Sequence, residues 1–119
     1  MMEMYKLVDK IPVPCTIEEW GETHRSASRT LGLTKLPDGY RVSTVFLGLD
    51  HRWGDEGPPI LFETMVFSGE GFDEQDMDRY CTYQEAVDGH WAMVEKHGGK
   101  KPLTKEDCTT ELDEDLFTL

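Results

Sequence analysis

Two stretches of the chain carry apolar side chains on both faces of an extended backbone. In 40–49, one face bears Val42, Thr44 and Phe46 and the other Val45, Leu47 and Leu49. In 59–67, Ile60, Phe62 and Val66 alternate with Leu61, Met65 and Phe67. Both runs are rich in β-branched and aromatic residues and short for a buried helix, so they predict interior strands with material packed on each side, or nearly so. The connection at 50–59 holds two glycines and two prolines, which makes the pair an antiparallel hairpin with a long structured loop.

Helical spacing shows in two other places. Ile17, Trp20, His24, Ala27 and Leu31 fall at steps of three and four and predict a helix over 17–31. Thr16 and Glu19 form a capping box at its start, Gly32 closes it, and Gly21 weakens its middle by ~1 kcal/mol relative to alanine. Tyr83, Ala86, Val87, His90 and Val94 line a second helix over 83–97, opened by Thr82 and Glu85 and stopped by Gly98-Gly99, with Gly89 as its soft point. The two helix starts share a pattern 66 residues apart: Cys15-Thr16, Glu19 and His24 recur as Cys81-Thr82, Glu85 and His90. Convergent caps and a duplicated strand–helix unit both produce this match, and neither implies chemistry.

The remaining segments read more simply. Residues 4–14 predict one short strand ended by Pro12 and Pro14. The glycine-containing, acidic 68–77 reads as a loop, and 78–81 as a short strand returning beside the hairpin. From Lys100 the core periodicity stops, and 100–119 reads as a flexible acidic tail, with Leu112, Leu116, Phe117 and Leu119 as a candidate partner-binding peptide. The expected architecture is α+β: a single small domain over 1–99 with a three- or four-stranded antiparallel sheet packed with two helices. Its expected core is Trp20, Val42, Phe46, Ile60, Phe62, Val66 and Val87.

Charge narrows the function. Twenty-four acidic residues against 12 basic ones give −12, which argues against direct nucleic-acid binding through a basic groove. No apolar run approaches the ~20 residues of a membrane span, and the start lacks the layout of a signal peptide. A cytoplasmic protein is expected. Three dispersed cysteines, without a C-x-x-C or H-x-x-x-H pair, indicate neither a disulfide framework, nor a metal site, nor a cofactor. A homodimer is left open.

Phosphate-binding, nucleophile-elbow and zinc-protease motifs do not occur, so candidates are individual side chains. Glu63 sits in a mostly apolar strand. Burial there would raise its pKa and suit it to acid–base work, whereas an ion pair with Arg41 or Arg79 would make it structural. Asp50, His51, Arg52 and Trp53 leave a strand end together, as a ligand-binding set with Tyr80 or as a loop locked by Asp50 and covered by Trp53. His24 and His90 lie on apolar helix stripes and read as satisfied core histidines, and Ser43, Thr44 and Thr64 as hydroxyls satisfying local backbone. Glu70, Asp73, Glu74, Asp76 and Asp78 crowd one segment. Such an array either solvates the surface or imitates a phosphate backbone toward a basic partner.

Three strings, VSTVFLGLDH (42–51), GPPILFETMVF (57–67) and the R-Y-x-T-x-x-E-A helix opening (79–86), resemble a widespread group of small, mostly uncharacterised bacteriophage and prophage proteins. The resemblance spans roughly 35–96, with Tyr83 where tryptophan is often expected, and it brings no reaction or catalytic residue. It implies a non-enzymatic accessory protein in the host cytoplasm that binds and inhibits a host protein, such as a nucleic-acid-handling defence complex, in the manner of anti-CRISPR or anti-restriction proteins. The alternative is a small-ligand binder that sequesters a nucleotide signal. A hydrolase using Glu63 with His51 is a third reading.

Overall fold

The apolar hairpin forms the middle of the sheet. In the computed structural model, which describes residues 3–25, 29–50, 57–69, 73–99 and 110–112, β4 (Arg41–Phe46) pairs antiparallel with β5 (Phe62–Phe67). Val42 stands opposite Val66, Thr44 opposite Thr64, and Phe46 opposite Phe62. These six side chains are fully buried, while Ser43, Val45, Glu63 and Met65 on the other face are only half-buried. Two-sided packing was therefore half right. α2 (Tyr83–Lys96) covers one face, and among the described residues no helix lies over the other.

The hairpin is flanked by β3 (Thr30–Lys35) on β4 and by β6 (Glu74–Tyr80) on β5. Both correct the sequence reading. The first helix, α1, spans Ile17–Arg25 and ends before 31. Leu31 fits a helical stripe, but TLGLTK also alternates with period two, and the strand wins because Leu31 becomes 2% exposed in the core. Gly32 is not a helix cap: it sits at a register shift opposite Thr44. β6 takes over the last four residues of the expected loop at 68–77 and runs through most of the strand expected at 78–81. Its acids are poor strand formers, which hid it, and an outermost strand tolerates them because one side of it meets water.

Two further corrections concern the ends. Residues 4–14 form a hairpin, β1 (Tyr5–Val8) and β2 (Ile11–Pro14), turned at Asp9 and Lys10, whose φ angles of 51° and 70° suit a two-residue turn. Within 100–119, β7 (Thr110–Leu112) pairs with β3 instead of forming tail, and the rest of that stretch lies outside the described residues. The main sheet thus runs β6-β5-β4-β3-β7, antiparallel throughout.

Both capping boxes are present. Thr82 Oγ1 accepts from the Glu85 amide and Glu85 Oε1 from the Thr82 amide, each at 3.1 Å. Thr16 and Glu19 do the same at 3.2 and 3.1 Å. α2 buries the expected stripe, Tyr83, Ala86, Val87, His90 and Val94, together with Trp91 and Met93. α1 packs chiefly on β1, where Lys6 pairs with Glu19. Trp20 is therefore half-buried, as is Ile60, which precedes β5; neither is a full core residue. The Trp20 indole closes over Gly48, whose φ is +73° and where a Cβ would stand 2.8 Å from Nε1.

Gly89 has a packing reason. A Cβ there would lie 2.2 Å from the Tyr80 ring and hydroxyl. Gly89→Ala should therefore destabilise by ~1–3 kcal/mol through overpacking, against the gain of ~1 kcal/mol that helix propensity alone predicts. In a Tyr80→Ala background the same change should stabilise. A double-mutant cycle by chemical denaturation checks the reversal, and a gain from Gly89→Ala alone would remove Tyr80 from that contact.

Candidate functional site

The candidate residues separate by position. Asp50 Oδ1 accepts from the Ile60 amide at 3.0 Å, fastening the two ends of the connection between β4 and β5. This is the loop-locking role. His51, Arg52 and Trp53, its proposed companions, lie outside the described residues.

Glu63 is paired. Its Oε2 accepts from Arg79 Nε at 2.9 Å on the sheet face away from α2, with the two side chains 12% and 39% exposed. Arg41 is engaged elsewhere, donating from Nε to the Gly69 carbonyl at 2.8 Å and lying over the Phe67 ring. The ion-pair reading thus accounts for Glu63, and Arg79 is its partner.

The acidic segment divides in two. Asp73, Glu74 and Asp78 are exposed, and Glu70 lies outside the described residues. Asp76 is not a free surface acid. Its Oδ2 meets Lys96 Nζ at 2.7 Å and His97 Nε2 at 2.9 Å. The Lys96 ammonium, then the His97 ring and the Met77 amide, hold its carboxyl well below the ordinary range. It joins β6 to the C-terminal end of α2, where basic groups also suit the helix dipole.

β6 gathers these features on the rim of the sheet. It is the outermost strand, and the amides of Met77 and Arg79 donate to the carboxylates of their own neighbours, Asp76 at 2.9 Å and Asp78 at 2.8 Å. Asp76, Asp78 and Tyr80 stand opposite Val66, Thr64 and Phe62, on the side of α2, while Met77 and Arg79 stand opposite Met65 and Glu63 on the open side. Met77 is 38% exposed. Tyr80 is half-buried with its ring against Gly89, and burial pushes its phenol pKa up. Its hydroxyl neighbours Thr64 without a hydrogen bond of ordinary geometry. The sequence reading missed β6 as a frame for these side chains, although the alternation Asp76-Met77-Asp78-Arg79 was a period-two signal.

Behind this rim, the threonines do more than satisfy local backbone. His90 Nε2 lies 2.8 Å from Thr34 Oγ1 and Nδ1 lies 2.7 Å from Thr44 Oγ1, which is 2.5 Å from Thr64 Oγ1. A neutral ring donates from one nitrogen and accepts at the other, so both tautomers can be satisfied. All four side chains are buried, so the chain of hydrogen bonds fixes the register of α2 over three strands. His90 is a satisfied core histidine, as expected. The side chain of His24 is outside the described residues.

Among the described residues, no three His, Cys, Asp or Glu side chains are grouped to hold a metal ion, and no helix is long and apolar enough to cross a membrane. Comparison with protein-family models, curated proteins and solved structures found no match to the chain.

Proposed function

We propose that the protein is a non-enzymatic binding module that engages a basic, nucleic-acid-handling protein and inhibits it by occupying the surface its nucleic acid would use. The phage resemblance supports a role among accessory proteins directed at host defence. One observation carries this reading: the outermost strand of the sheet, β6, presents exposed acids along an edge that no other described strand covers. Those acids are Glu74 and Asp78, whose spacing the strand backbone fixes, with Asp73 just before them. Clustered negative charge of this kind steers a cationic partner and selects it by charge. Asp50, the described member of the proposed ligand-binding loop, is committed to Ile60, so no described contact favours the small-ligand alternative.

Reversing Asp73, Glu74 and Asp78 to lysine tests this reading without disturbing Asp76, whose contacts brace α2. Binding to a basic host nuclease or defence effector, measured in a pull-down and by calorimetry, should weaken about tenfold or more. The unaltered protein should bind less tightly as salt rises, because charges beyond ~10 Å are screened at moderate ionic strength. Binding that survives the triple reversal would end the electrostatic reading.

A further inference from the structure

An edge strand is a template. Its outward amides and carbonyls pair with any extended segment that fits, and natural proteins keep such edges short or obstructed. β6 is seven residues long and outermost in the sheet. Its obstruction is electrostatic: the Asp76 and Asp78 carboxylates sit on the Met77 and Arg79 amides, where an incoming strand would place its carbonyls. A second copy of this chain brings the same acids and is repelled. A cationic strand is not, because Asp78, when displaced from the Arg79 amide, gains a basic side chain in exchange, and Asp76 keeps Lys96.

The two sides of β6 refine the fit. Toward α2 lie Asp76 and Asp78; Asp76 is already ion-paired with Lys96 and within hydrogen-bond distance of His97, whereas Asp78 holds the Arg79 amide beside it and stays exposed. Toward the open face lies Met77, next to half-buried Met65. Directly paired residues on adjacent strands project to the same face. An added strand therefore meets Asp78 on one face and, on the other, the Met77 thioether beside an Arg79 guanidinium already paired with Glu63.

We propose that β6 receives an extended segment of the partner protein as a sixth strand of the main sheet, with basic residues at alternate positions facing Asp78 and apolar residues between them facing Met77 and Met65. This rests on the reading of the protein as an acidic binding module and adds the geometry by which it holds its partner. Strand addition takes affinity from main-chain hydrogen bonds and selectivity from alternate side chains.

Two synthetic peptides of identical composition decide the matter, one alternating lysine and valine and one with the lysines and valines in separate blocks. The full-length protein should bind the alternating peptide about tenfold more tightly by calorimetry. Hydrogen exchange at the Met77 and Arg79 amides should slow on its addition, and Met77→Ser should erase the preference while leaving the block peptide unaffected. Equal affinities, both lost on charge reversal at Asp73, Glu74 and Asp78, would overturn strand addition and leave the acidic-surface reading standing. Failure of both peptides to bind would also overturn it, and if the basic host protein failed to bind as well, both readings would fall. Protection of the same amides that grows with protein concentration, without peptide, would assign the edge to a second copy and likewise refute the proposal.

Discussion

Phe62→Ala should lower the unfolding free energy by ~3–5 kcal/mol, the usual range for deleting a buried aromatic ring. Phe62 is fully buried at the start of β5, where its ring meets Phe46 at a centroid distance of 5.2 Å and Tyr83 edge-on at 6.1 Å. It thus joins the central hairpin to the first turn of α2. Removing it opens a cavity bounded by strands on one side and a helix on the other. Both are held by hydrogen bonds of their own, so neither can collapse inward to fill the space. The loss is a large part of the ~5–15 kcal/mol that stabilises an ordinary domain. Thermal and urea denaturation should show a drop of well over ten degrees, at about 4–8 °C per kcal/mol for a small domain. A variant that melts within a degree or two of the parent would remove Phe62 from the core. Val45→Ala is the control, since Val45 faces the half-buried side of the same sheet.

Acid should weaken the fold through His90. The side chain is fully buried, and burial pushes its pKa from 6.5 to about 4. The groups that meet its ring are the hydroxyls of Thr34 on β3 and Thr44 on β4, with Thr64 on β5 behind them and the Trp91 ring edge-on. These hydroxyls carry no charge to balance an imidazolium. Between pH 6.5 and about 4 the unfolded chain binds a proton that the folded chain refuses. Stability therefore falls as pH falls through that window and levels off below it. The separation between 6.5 and about 4, at about 1.4 kcal/mol per pH unit, amounts to ~3 kcal/mol. Asp76 acts lower on the scale: its pKa is depressed from 3.8, so its contribution is present above that value and lost as pH falls beneath it. Urea denaturation from pH 7 to 4 should show the His90 slope in the parent and its loss in His90→Gln. Nuclear magnetic resonance of the imidazole protons provides the direct measurement in the parent. A His90 ring that titrates near 6.5 in the folded protein would refute the assignment.

How much of this was legible depended on whether a segment's local pattern agreed with its tertiary setting. The central strands, the stripe of α2 and both caps were legible because periodicity, burial and end chemistry coincide there. Leu31 was misread because one residue satisfied a helical and a strand period at once, and only the packing of β3 beside β4 decides between them. β6 was hidden because acids disfavour strands on average, whereas the preference changes between central and outermost strands. Glu63 was legible as a choice between two roles but not as an answer, since its partner Arg79 is 16 residues away on a strand the sequence placed only in part. The hydrogen-bonded threonines show the same limit: Thr34, Thr44 and Thr64 are unremarkable singly, and only the sheet register sets them beneath one imidazole.

The pairing of β3 with β7 makes the two flanks of the sheet differ in when they are completed. β6 follows β5 closely along the chain, so that flank is in place as soon as the hairpin and its neighbour have left the ribosome. The β3 flank waits for residues 110–112, which emerge after every other described strand and helix. Until then Gly32–Thr34 of β3 lack the strand that pairs with them, and it is in this interval that misassociation through that side would begin.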